Sequence, residues 1–142
     1  IPPKLLELEL TETAFQDRPD AIPEAISQIH LAGYSCSLDD FGSGYSSLNN
    51  LESLDIDILK LDCKFLRDAR TENDKGHIVI EELIHMARRL GITVCCEGVE
   101  TEDQLAFLRK CHCDIGQGYL FSKPVEVAAF EELLFGSVSG NP

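Results

Sequence analysis

A chain of 142 residues with 44% hydrophobic side chains can build one domain with a real core, which excludes disordered and fibrous classes. Twelve basic against 25 acidic residues leave a formal charge of −13. That is the wrong sign for gripping a nucleic-acid polymer, which needs clustered Lys and Arg. No apolar run approaches the roughly 20 residues of a membrane span. No secretory signal pattern opens the chain, and "IPPKLLELEL" reads as an internal start.

In chain order, "LLELELTE" is a first strand. "PDAIPEAISQIHLAG" then places Ile22, Ala25, Ile26 and Ile29 on one helical face, with Gly33 as its C-terminal cap. "YSCSLDD" and "DIDILKLD" are short apolar runs suited to buried parallel strands. "KGHIVIEELIHMARRLG" is a second helix, with Ile80, Leu83, Ile84, Ala87 and Leu90 on one face and Gly91 closing it. After the strand "ITVCCEG", Thr101 and Gln104 stand at capping-box spacing and start a helix over "TEDQLAFLRK". "CDIGQGY" is a fifth strand and "VEVAAFEELLF" a last helix. Alternation of this kind predicts a parallel sheet with helical crossovers.

Three units align at their strand ends. Asp39 lies six residues after Gly33, Glu97 six after Gly91, and Gln117 six after Cys111. Equivalent strands would bring these groups to one rim, where the active sites of parallel α/β folds gather. Glu9 and Glu12 end the first strand, and Lys60 shares a strand face with Ile58 and Asp62. Asp39 and Asp40 are adjacent, so their charges call for a cation, a shared proton or full solvation.

Glu9, Asp39, Asp40 and Glu97 are hard oxygen donors with no His among them, which favours Mg2+, Mn2+ or Ca2+ over zinc or copper. Two such ions about 4 Å apart suit phosphoryl displacement. Lys60 adds a fixed charge for a phosphate oxygen, and Gln117 can orient water. Taken singly, these residues read as a helix cap, surface acids and a snorkelling lysine. Their repetition on successive strand ends is what argues for a site. His77, His85 and His112 fall off the rim, and His30 suits a helix C-terminus. The six cysteines read as reduced cytosolic thiols, and "CHC" at 111–113 is too tightly spaced for a zinc knuckle.

"ELTE", "DDFGSGYSSL", "IDILKLD", "EGVE" and "QGYLFSKP", in this order, resemble the EAL domain, a family of bacterial phosphodiesterases acting on cyclic di-GMP. The resemblance runs from Leu5 to Leu134 and implies a fold of α/β class: the C-terminal five strand–helix units of a TIM-like (β/α)8 barrel, which has one antiparallel strand. By resemblance, Glu9, Asp39, Asp40 and Glu97 are metal ligands for two Mg2+ or Mn2+ ions. Lys60 is the catalytic lysine, and Gln117 arranges water. Glu12 steadies the loop Phe41–Leu48, which takes part in dimerisation, and Glu100 belongs to the substrate-side loop.

A barrel of this type needs about 250 residues. The Glu-Ala-Leu motif and a metal-binding asparagine are not in this chain, so residues 1–142 read as a partial domain lacking its first strands. The expected function is hydrolysis of cyclic di-GMP to linear pGpG by the complete cytoplasmic domain, with the isolated chain inactive. This reading leaves open a GGDEF or sensory domain, or a membrane anchor, elsewhere in the parent protein. The alternative is a non-catalytic module that binds cyclic di-GMP or a protein partner.

Overall fold

Five parallel strands form one sheet in sequence order: β1 (Glu7–Thr11), β2 (Ser35–Phe41), β3 (Ile58–Asp62), β4 (Thr93–Glu97) and β5 (Ile115–Gln117). In this computed structural model the described residues are 1–11, 14, 19–41, 51, 53–62 and 75–136. Among these described residues the α-helices are α1 (Ile22–Leu31), α2 (Lys75–Arg89), α3 (Glu102–Lys110) and α4 (Val127–Phe135). Sequential parallel neighbours require crossovers of one hand, and helices on one face curl the sheet toward a barrel.

The two sheet faces have opposite characters because side chains alternate along a strand. Cys36, Leu38, Leu59, Leu61, Val94 and Cys96 are buried on the outer face, in one cluster with Ile22 and Ile26 of α1 and Ile80, Ile84 and Ala87 of α2. The inner face carries Glu9, Ser37, Asp39, Lys60, Asp62, Glu97 and Gln117. Two residues expected on helix faces differ. Ala25 is exposed, the apolar stripe of α1 being narrow, and Leu90 lies past the end of α2 and is half exposed.

Helices α1, α2 and α3 stop in the same way, with a left-handed residue followed by an amide that reaches back five residues. Gly33 (φ 84°) and Gly91 (φ 80°) supply that conformation cheaply. Tyr34 N–H then donates to Ile29 O at 3.1 Å, and Ile92 N–H to Ala87 O at 2.9 Å. After α3 the left-handed residue is His112 (φ 58°), with Cys113 N–H donating to Leu108 O at 3.0 Å. The counterpart of the glycines is therefore His112 rather than Cys111, and the last unit is one residue shorter before Gln117.

A second repeated device sets the strand starts. Asp57, just before β3, accepts the Cys36 N–H of β2 at 2.8 Å, and Asp114, just before β5, accepts the Val94 N–H of β4 at 3.0 Å. Each acid also faces a nitrogen-bearing side chain at a helix end. His30 Nε2 lies 2.9 Å from Asp57 Oδ2, and Arg88 Nε lies 4.0 Å from Asp114 Oδ1. Asp57→Ala strands the amide of a buried residue and should destabilise the chain by about 1–3 kcal/mol in urea unfolding. Asp57→Asn, which keeps an acceptor oxygen, should lose less.

Strands β1 and β5 are the sheet edges, and their side chains are mostly exposed. Helix α4 buries none of its residues, leaving Val127, Phe130, Leu133, Leu134 and Phe135 open to solvent.

Candidate active site

The register lines the inner face up strand by strand. Glu9 stands opposite Ser37, and Ser37 opposite Ile58. Asp62, Glu97 and Gln117 stand opposite one another at the carboxyl ends of β3, β4 and β5. Lys60 follows Ile58 by two residues and so shares this face.

Between β2 and β3 the ladder breaks in a way that explains the adjacent aspartates. Leu38 pairs with Leu59 and Phe41 with Leu61, so Asp39 and Asp40 together oppose the single residue Lys60. This is a β-bulge, a device that re-aims side chains next to functional sites. It also lets Leu38 and Phe41, three apart, both enter the outer core, where a regular strand would turn them to opposite faces.

Three carboxylates converge on the Lys60 ammonium. Its Nζ donates to Glu9 Oε1 and lies 2.8 Å from Glu97 Oε1 and 3.8 Å from Asp39 Oδ1. The Lys60 side chain is only 8% exposed. Burial alone would lower its pKa, but hydrogen bonds to Glu9 and Glu97, with the charges of Glu97 and Asp39, outweigh burial. The lysine is held above its usual range and stays cationic. Among the described residues, then, the cation that reconciles these acids is Lys60 itself.

The donor set fits a hard divalent ion in kind, being all carboxylate oxygen on one sheet face. Among the described residues, no group of three or more His, Cys, Asp or Glu side chains is already arranged to hold an ion. Glu9, Asp39 and Glu97 instead close on the ammonium, so an ion binding there has to compete with Lys60.

The other expected residues are placed as follows. Gln117 stands beside Glu97 in the register and is exposed. Glu100 follows β4 by three residues, exposed, with its amide donating to Gln104 Oε1 at 2.8 Å. The side chain of Asp40, all of Glu12 and the part of the Phe41–Leu48 loop after Phe41 lie outside the described residues.

Three further residues belong to this face or its support. Asp62 is a rim acid beside Glu97. Ser37 lies beneath the ion-pair cluster. Gly118 passes so close to Val99 that a Cβ would fall 2.2 Å from its carbonyl oxygen. Asp62 was readable from strand alternation with Lys60, and Gly118 from its place in "QGY". A small serine in a strand gives no comparable signal.

The thiols nearby are mostly inert. Burial pushes Cys36 and Cys111 up to about 11 and Cys95 up to about 12. Cys113 moves the other way, chiefly because the Cys96 thiol hydrogen-bonds to it. Near neutral pH, iodoacetamide should therefore label Cys113 before these three, as read by peptide mass spectrometry.

A parallel α/β sheet with polar side chains gathered toward the carboxyl ends of its strands has the layout of α/β barrels, whose sites lie at that face. The description of the EAL domain matches residues 1–124, and the chain belongs to the EAL domain family. It is 45% identical over 129 residues to the cyclic di-GMP phosphodiesterase NbdA of Pseudomonas aeruginosa, covering 91% of this chain and 16% of that protein. The EAL domain of Mycobacterium smegmatis DcpA superposes with a TM-score of 0.84 at 31% identity, covering 100% of this chain and 62% of that one. A manganese and cyclic di-GMP complex of Klebsiella pneumoniae BlrP1 superposes with a TM-score of 0.79 at 31% identity, covering 87% of this chain and 31% of that one. The sheet and its helices are consistent with part of a TIM-like barrel. The chain spans only a minor part of the length of its curated relatives.

Proposed function

We propose that this chain carries the catalytic rim of a divalent-metal-dependent, cytoplasmic phosphodiesterase domain that hydrolyses cyclic di-GMP to linear pGpG. The observation that carries this reading is the convergence of Glu9, Asp39 and Glu97 on Lys60 on the inner sheet face, with Glu9 and Lys60 at mid-strand, one step below the strand end expected for Glu9. The named activity of NbdA supports the substrate, and the manganese complex of BlrP1 supports the choice of ion.

Glu9, Asp39, Asp40 and Glu97 would hold two Mg2+ or Mn2+ ions, which activate water and neutralise phosphate charge. Lys60 holds a phosphate oxygen by its fixed positive charge. Gln117 orients water, Glu12 steadies the loop after the paired aspartates, and Glu100 lies on the substrate side. On a chain of net charge −13, an anionic dinucleotide needs these cations before it can approach the acids.

The test is product chromatography on the intact protein and on residues 1–142 alone, at matched concentration with Mg2+ or Mn2+. The intact protein should form pGpG. The isolated chain should form little, because Glu9 sits on edge strand β1 and Gln117 on edge strand β5. A shift of about 1 Å in such groups can cut rate on the order of 100-fold.

One observation favours a second reading. The acids already close on an internal ammonium, which suits a module that binds cyclic di-GMP without turnover. Binding with no pGpG from the intact protein would establish it. Self-association through the Phe41–Leu48 loop or a sheet edge is part of the proposal, as is coupling to a GGDEF or sensory domain in the parent protein. Exposed edges invite pairing, so the isolated chain should sediment as a dimer or larger, and a monomer at high concentration would refute this.

A further inference from the structure

We infer that Ser37 is the reserve acceptor for the Lys60 ammonium, engaged when a divalent cation draws Glu9 and Glu97 away from it. The inference rests on the metal-dependent reading above.

Ser37 is 0% exposed, and its Oγ has no hydrogen-bond partner among the described residues. A buried hydroxyl left unpaired is unfavourable, and alanine would fill nearly the same space without that penalty. The position of the orphan is specific. Ser37 stands on β2 opposite Glu9 of β1 and opposite Ile58 of β3, two residues before Lys60. The ion pair from Lys60 to Glu9 joins β3 to β1, so it must cross β2 on the face that Ser37 shares. A larger side chain there would obstruct the crossing, which accounts for the small residue but not for its hydroxyl.

The hydroxyl gains a purpose once the acids change partner. An ammonium carries three donors and no acceptor. Lys60 now directs them at Glu9 and Glu97, with Asp39 nearby, from a side chain 8% exposed. A hard ion competes for the same three carboxylates. As they turn toward it, the buried ammonium must find acceptors or suffer desolvation without compensation. Ser37 Oγ is the unpaired acceptor on the strand that Lys60 already spans. Its acceptor capacity lowers the free energy of releasing Glu9, and so raises ion affinity without contacting the ion.

The experiment is a Mn2+ titration of the intact protein by calorimetry, paired with metal-free thermal melts. Ser37→Ala should leave the metal-free midpoint unchanged or slightly raised, since no bond is lost. It should weaken Mn2+ binding about tenfold, the scale of one hydrogen bond to a charged group. In a Lys60→Met background, where no ammonium needs rehousing, Ser37→Ala should leave Mn2+ affinity unaltered. Equal Mn2+ affinity in Ser37→Ala and the parent overturns the inference, as does a loss that persists undiminished beside Lys60→Met. A parent protein that binds no Mn2+ overturns the metal reading itself, and this inference with it.

Discussion

Lys60→Met in the intact protein should lower turnover of cyclic di-GMP by on the order of 100- to 1,000-fold while strengthening Mn2+ binding. Removing a preorganised charge from a site that stabilises developing negative charge has an effect of about that size. The gain in binding follows from competition. The Lys60 ammonium occupies Glu9 and Glu97 directly and Asp39 at 3.8 Å, so its loss frees all three carboxylates for an ion. Without metal, those carboxylates lose their internal cation and repel, so the metal-free melting midpoint should fall and Mn2+ should restore it. Opposite signs for binding and turnover separate this account from simple misfolding, which would weaken both. Unchanged turnover would remove Lys60 from the chemistry.

Gly118→Ala should destabilise the protein by about 3 kcal/mol or more, a drop in melting temperature on the order of 10 °C. A Cβ at Gly118 would lie 2.2 Å from Val99 O, 2.3 Å from Val99 N and 2.8 Å from Val99 C. These are backbone atoms of a fully buried residue, so no rotamer change relieves the clash. The same backbone ties the rim together: Val99 N–H donates to Gln117 O and Leu120 N–H to Val99 O, each at 3.0 Å. Forcing the segments apart moves Gln117 away from Glu97, so activity should fall further than stability alone explains. Gly136→Ala is the control, since its Cβ meets nothing within 4 Å, and it should melt within error of the parent. A Gly118→Ala protein as stable as the parent would show that the close approach is dispensable.

The strands and helices were legible because their signals are local. Apolar runs marked β2 to β4, and Gly33 and Gly91 marked helix ends by a conformation that glycine adopts without strain. The same signal fails at α3, where His112 takes the left-handed position, so Gln117 stands five residues past it while Asp39 and Glu97 stand six past their glycines. Glu97 and Gln117 stand level at strand ends, a matter of topology, whereas Glu9 and Lys60 lie at mid-strand and meet the rim only through the reach of their side chains. What the side chains do there depends on long-range pairing. Nothing in "SLDD" announces a bulge, because the extra residue is defined only against Leu59 and Leu61 on the neighbouring strand. Nor does it show that a serine hydroxyl is orphaned, since that requires knowing what lies across two strands. Asp57 and Asp114, inside the runs read as strands, give no sign of the amides they accept.

The bulge also makes the chemistry heritable separately from the architecture. Leu38 and Phe41 are separated by two residues on β2, while their partners Leu59 and Leu61 are separated by one. Deleting a single codon for either aspartate would restore an even ladder, with Leu38 and Phe41 still facing outward as a regular strand demands. The outer core would pass through such a deletion unchanged, and β2 would carry one aspartate opposite Lys60 instead of two. One residue therefore separates an even ladder from a bulged one, and the outer core is indifferent to which of the two is present.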